Sequence, residues 1–187
     1  MEERIFELKK QYLHYAKKVE RPGMDKLLKW LDESDFYLQP ASTSYHMSEE
    51  GGLVEHSVNV CEIALKTNLA LGQPVDDESV IITSLLHDLG KHEYFGKKYY
   101  KENILKSGKR SVPKPYERNK EVLSIPHEII SLQVVNKFIE LTEEETWALL
   151  HHNGMYGDLK YSLQGKETPL QIILHFADMW ASRVIER

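Results

Sequence analysis

The stretch that most constrains this chain runs from Val80 to Lys91. Val80, Ile81, Ile82, Leu85, Leu86 and Leu89 recur too densely for a helix with one wet face, so the segment reads as a buried helix. It closes on His87-Asp88-Leu89-Gly90-Lys91, which puts an imidazole and a carboxylate side by side at the buried end. Gly90 is expected just past that end, where left-handed backbone suits glycine. A buried carboxylate beside a buried imidazole is costly unless something pairs with them, and a metal ion pairs with both. An isolated His-Asp dipeptide is weak evidence, because a helix end can satisfy both groups with backbone and solvent. The rest of the chain decides.

With 187 residues, 41% of them hydrophobic, the chain can bury one good core, and a single domain over 1–187 is expected. The net charge of -5 gives no global basic character, so long duplex nucleic acid is not an expected partner. The one cysteine, Cys61, cannot form an internal disulfide, which fits a reducing compartment. The charged start Met1-Glu2-Glu3-Arg4 lacks the apolar core of a signal peptide. No apolar run approaches the roughly 20 residues that span a bilayer. The expected location is cytoplasmic, away from membranes.

Ile5, Leu8, Tyr12, Tyr15 and Val19 recur at steps of three and four, which predicts an amphipathic helix over 2–19 with His14 on its wet side. Arg21-Pro22-Gly23 breaks it, and a short second helix follows over 24–31. These N-terminal helices, within 1–45, are expected to pack on the core. An ordered loop then carries His46. A long helix over 53–71 places Val54, Val58, Cys61 and Leu65 on one stripe and His56 on its first turns. Asp76 or Asp77 caps the helix that ends at His87-Asp88. Pro126 opens a helix with His127 at its start, running to Ile139. Thr142-Glu143-Glu144-Glu145 is a capping box for a helix that ends on His151-His152. Thr168-Pro169 starts the last helix, with Asp178 beside its apolar stripe.

Between Tyr94 and Lys120 nine residues are Lys or Arg against two Glu, a local charge of +7, so the rest of the chain carries -12. Tyr99 to Leu105 and Val112 to Tyr116 read as two extended segments around Ser107-Gly108-Lys109, one small β-hairpin in an otherwise helical chain. Two readings of this insertion stay open: a solvated surface loop, or a basic flap beside the His87-Asp88 helix end.

His56, His87, Asp88, His127, His152 and Asp178 each fall on or at the end of a predicted helix, most among apolar neighbours. A helical bundle builds metal sites from such dispersed side chains. Nitrogen and carboxylate ligands without thiolate suit Mn, Fe, Co, Ni, Zn or Mg. His127-Glu128-Ile129-Ile130-Ser131 lacks the second histidine of a helical zinc-protease pair, and no glycine loop resembles a phosphate cradle. His175 reads as a packed core histidine, and His92 as an exposed one.

The order Gly51-Gly52-Leu53-Val54-Glu55-His56-Ser57, His87-Asp88-Leu89-Gly90-Lys91, His127, His152-Asn153-Gly154 and Ala177-Asp178 resembles the HD superfamily of metal-dependent phosphohydrolases. The likeness runs from about His46 to Ile185. It implies an all-α HD-domain bundle in which His56, His87, Asp88 and Asp178 bind one divalent metal. In members with extra histidines a second metal is held, here by His127 and His152. A tryptophan usually precedes the histidine of the His-x-Gly segment, so His152 matches better than His151. The role of His46 is open. The basic insertion resembles a subset of bacterial and phage members.

The expected function is therefore a metal-dependent phosphohydrolase, a phosphodiesterase or nucleotidase, acting on a nucleotide or short oligonucleotide with one or two divalent ions per chain. Asp88 and Lys91 are the expected catalytic residues: Asp88 orients or deprotonates water, and Lys91 offsets phosphate charge. Lys91, Lys97 and Lys98 are the expected substrate-binding cations. The alternative is a non-catalytic HD module that senses a nucleotide.

Overall fold

The computed structural model describes residues 2–186. Its helices are α1 (Glu2–Ala16), α2 (Met24–Glu33), α3 (Gly52–Ala70), α4 (Asp77–Leu86), α5 (His127–Val135), α6 (Glu143–Leu150), α7 (Lys160–Leu163) and α8 (Pro169–Trp180). Short 3-10 turns lie at Phe36–Leu38, Leu89–Lys91 and Gly154–Tyr156, and α8 continues into a π turn over Ala181–Ile185. The all-α HD-like bundle expected from the sequence is what the chain forms.

Helix α3 is central because it has two apolar faces. Val54, Val58 and Cys61 join a large core with Tyr12, Leu27, Phe36, Ile82, Leu86 and Ile130. Val60 and Ala64 join a second cluster with Val80, Ala148, Leu170, Leu174 and Ala177. Helix α3 thus packs on α1, α4 and α8 at once. Leu71, Gly72 and the loop beyond it return the chain to α4, where the Asp76 side chain accepts from Ser79 N at 2.9 Å. The N-terminal helices contribute Leu8, Tyr12, Leu27 and Leu31 to this core.

The capping box at α6 is present in full, with Thr142 and Glu145 exchanging side chain-to-backbone bonds. Glu145 does more than cap. It is buried, accepts from Arg21 Nη1 and Nη2 at 3.0 and 2.9 Å, and accepts from Ser79 Oγ at 2.8 Å. This one carboxylate fastens the α1–α2 connection to α4 and α6.

Three sequence expectations need correction. The basic insertion forms two small antiparallel pairs in place of one hairpin. Strand β1 (Glu93–Tyr94) pairs with β2 (Lys97–Lys98), and β3 (Tyr100–Glu102) with β4 (Tyr116–Arg118), with Tyr100 opposite Arg118. Tyr94-Phe95-Gly96 already turns the chain before the longer pair begins, Phe95 and Gly96 both taking positive φ. Gly90 does not sit in a left-handed conformation; it lies inside the Leu89–Lys91 turn. A Cβ there would stand 2.2 Å from the His127 carbonyl oxygen, so glycine is needed for close approach to α5. His92 is buried against Trp30 and Phe36, not exposed. His14 is exposed, as expected.

Candidate metal centre

Five helices deliver one polar cluster to the interior. His56 lies one turn into α3, His87 caps the end of α4 with Asp88 next to it, His127 opens α5, His152 follows α6, and Asp178 sits near the end of α8. His56, His87, Asp88 and His152 are all buried. The ligand atoms of His56, His87 and Asp178 lie within 4.8 Å of one another, as do those of His87, Asp88 and His152.

Asp88 stands between two histidine pairs. Its Oδ2 is 3.6 Å from His56 Nε2 and 3.5 Å from His87 Nε2. Its Oδ1 is 3.1 Å from His127 Nε2 and 3.7 Å from His152 Nε2. Asp178 Oδ1 lies 3.3 Å from His56 Nε2. The Lys91 ammonium is 2.6 Å from Asp88 Oδ2, on the side of the first pair.

The far side of each ring is already in use. His87 Nδ1 donates to the Ser84 carbonyl and His152 Nδ1 to the Leu149 carbonyl, both at 2.8 Å. His127 Nδ1 faces Glu128 Oε2 at 3.1 Å, and His56 Nδ1 faces Glu186 at 3.0–3.1 Å. These partners hold Nδ1 as the donor and turn Nε2 toward the cluster.

Nε2 atoms then meet one another: His56 and His87 at 3.2 Å, His127 and His152 at 3.1 Å. Asp88 Oδ1 is buried with no hydrogen bond among the described residues, and the His127 Nε2 that stands 3.1 Å from it is an acceptor once Nδ1 carries the proton. Acceptors facing acceptors in a dry site are unfavourable unless a cation joins them. The donor set therefore fits a divalent metal.

The electrostatics agree. Burial disfavours charge on His56, yet hydrogen bonds to Asp178 and Glu186 raise its pKa to about 10; these carboxylates favour a cation at Nε2, and a metal ion bound there would take the place of that proton. Burial lowers His87 and takes His152 down to about 3, which keeps both rings neutral as ligation requires. Burial opposes ionisation of Asp88, but Lys91, His87 and His127 hold it well below the usual carboxylate range.

The structure thus brings together all six residues expected as metal ligands, with Lys91 beside them. It does not bring Lys97 and Lys98 to the cavity beside His127. Lys97 donates to the Glu121 carbonyl and Lys98 pairs with Asp35. His151 faces Trp147, away from the cluster, and His175 donates to the His152 carbonyl at 2.8 Å.

Sequence reasoning missed Glu186. Fully buried at its side chain, it accepts from His46 Nδ1 at 2.6 Å, His56 Nδ1 and Asn59 Nδ2 at 3.0 Å. Burial opposes its charge, but these donors keep it ionised. Its position, just past the π turn, carries no periodic signal. The same contact explains His46, which packs on His56 with ring centroids 4.8 Å apart.

Residues 53–181 match the HD domain family, which covers the whole cluster from His56 to Asp178. The chain belongs to the HD domain family. A curated relative, the dihydroneopterin 2',3'-cyclic phosphate phosphodiesterase of Methanocaldococcus jannaschii, is 35% identical to this HD chain over 91 residues. That alignment covers 46% of this chain and 34% of the relative, so the chain spans about a third of its length. No solved structure gives a significant match. No helix among the described residues is long and apolar enough to cross a membrane.

Proposed function

We propose that this HD protein is a metal-dependent phosphohydrolase acting on a nucleotide or short oligonucleotide phosphoester, with a site for two divalent ions. The observation that carries the reading is Asp88, whose two oxygens face two different histidine pairs. His56, His87, Asp88 and Asp178 would hold one ion; His127, His152 and the other oxygen of Asp88 would hold the second. The donor set suits Mn, Fe, Co, Ni, Zn or Mg.

A divalent ion so held lowers the pKa of water, toward about 7 in the best cases, and polarises a phosphoryl oxygen. The chain's own groups do the rest. Asp88, kept ionised by Lys91 and the imidazoles, is a weak proton acceptor, so its main part is to orient the attacking water. Lys91 stays charged because Asp88 outweighs its burial, and it offsets charge on the phosphate. Two ions held by these residues would supply charge stabilisation to both ends of a diester displacement, which supports a phosphodiester substrate. The cyclic phosphodiester named for the relative supports the same choice.

The experiment is a panel of phosphomonoesters, linear and 2',3'-cyclic phosphodiesters, nucleoside triphosphates and short RNA, each with Mn, Co, Ni, Mg and Zn. Diester turnover that chelator abolishes is the expected result. Metal and nucleotide binding without turnover under any condition would return the chain to the sensor reading.

A further inference from the structure

Beside His127 a cavity of about 350 Å³ opens between the insertion and the loop after α6. Tyr99, Arg118 and Tyr156 line it, and none of them belongs to the metal cluster. Arg118, at the end of β4, is held rigidly. Its guanidinium lies 3.6 Å from the centroid of the Tyr99 ring, and Nη2 donates to the carbonyls of Leu123 and Ile125 at 3.2 Å.

Four other cations of the insertion are neutralised locally, Lys98 by Asp35, Lys101 by Glu121, Arg110 by Glu102 and Lys120 by Glu117. Arg118 has only neutral partners, and its Nε is buried with no acceptor. An unpaired donor on a charged group is costly, and the nitrogen an anionic ligand oxygen would reach is Nη1, which is not enclosed and bonds to no other group among the described residues.

Tyr156 adds a flat surface. Its ring is 70% exposed on the same cavity, braced by the Arg183 guanidinium at 4.6 Å. Nucleobases stack on such rings. Asp158, exposed at the rim, disfavours a long polyanion running out of the cavity. The volume lies at the low end of the roughly 300–1,000 Å³ typical of small-molecule sites.

We propose that this cavity is the substrate subsite and takes a single mononucleotide-sized phosphoester, its anion on Arg118 beside His127 and its ring against Tyr156. The proposal deepens the phosphohydrolase reading and rests on it for the word substrate. It places the cationic contact on Arg118, which stands opposite Tyr100 in the β3–β4 pair, and not on Lys97 or Lys98.

Calorimetric titration of the protein, with and without manganese, with inorganic phosphate and with 3'-AMP tests it. Arg118→Gln should weaken both ligands by about ten- to a hundredfold, the worth of a charge-assisted hydrogen bond. Arg118→Lys should regain only part, because the fork is lost. Tyr156→Ala should weaken 3'-AMP by about tenfold or more and leave phosphate unchanged. Metal content of all three should match wild type. Wild-type affinity in Arg118→Gln, or equal loss of phosphate and 3'-AMP in Tyr156→Ala, overturns the subsite. If these differences appear while no phosphoester is hydrolysed, the subsite stands and the hydrolase reading falls.

Discussion

Two buried polar centres lie at opposite ends of α4, and they are built on opposite principles. Around Glu145, at the helix's start, every strong acceptor meets a donor: Arg21, Ser79 Oγ and the Thr142 N–H share the carboxylate. Around Asp88, at its end, imidazole nitrogens face each other and Asp88 Oδ1 has no hydrogen-bonding partner. The first centre is complete as folded and serves the fold. The second is arranged around something the chain does not itself supply. Burial alone does not separate structure from function here; whether donors balance acceptors does.

The sharpest way to break this comparison is Asp88→Ala. It removes the carboxylate shared by both histidine pairs, so bound metal and any hydrolysis should be lost together. Metal analysis of the purified variant checks this, and full metal with full turnover would place the site elsewhere.

Arg21→Ala should act on the other centre alone. Removing one partner of a buried pair costs about 3–5 kcal/mol, and the lower end applies because Arg21 keeps 19% of its side chain exposed. Denaturant unfolding should show that loss, while the folded variant binds metal like wild type. A parallel loss of metal would merge the two centres into one.

His92 offers a third buried polar group, with Asp35 3.4 Å from Nδ1 but no hydrogen bond to either ring nitrogen among the described residues. Burial pushes its pKa down to about 4, against the nearby Asp35 carboxylate and with help from Lys98. The unfolded chain therefore takes up this proton first as pH falls from about 6.5, and stability drops until about pH 4. The shift corresponds to about 3 kcal/mol. His92→Leu should remove that slope, read as the change in variant-minus-wild-type unfolding free energy between pH 7 and pH 4. A constant difference across that range would show that His92 gains its proton in the folded state.

The smallest expected effect belongs to Glu186→Gln. It keeps the shape but removes the charge that holds His56 and His46, so metal affinity should fall by about ten- to a hundredfold. Wild-type affinity would make Glu186 a packing residue.

The same comparison explains what could be read from sequence. The six cluster residues were legible as inward-facing polar groups at helix ends or beside apolar stripes, and the resemblance to HD phosphohydrolases is what implies them as ligands. The capping box at Thr142 was legible too, but not its second use, since Arg21 and Glu145 are joined only by the fold. His92 misled because Lys91 and Glu93 flank it with polar residues, while the turn after α4 tucks it beneath Trp30 and Phe36. Gly90 is required by the close approach of α5, a tertiary fact that no local pattern marks. Glu186 and Arg118 lie outside regular helical patterns, so nothing local marked them.

The central claim is that Asp88 lies between two cation sites. Metal analysis of manganese-loaded protein, with His127→Ala and His152→Ala alongside, tests it most directly. Two equivalents in wild type and about one in each variant, with the His56–His87–Asp178 side still occupied, is the predicted result. A single equivalent in all three proteins would contradict the account and make a phosphomonoester the better substrate.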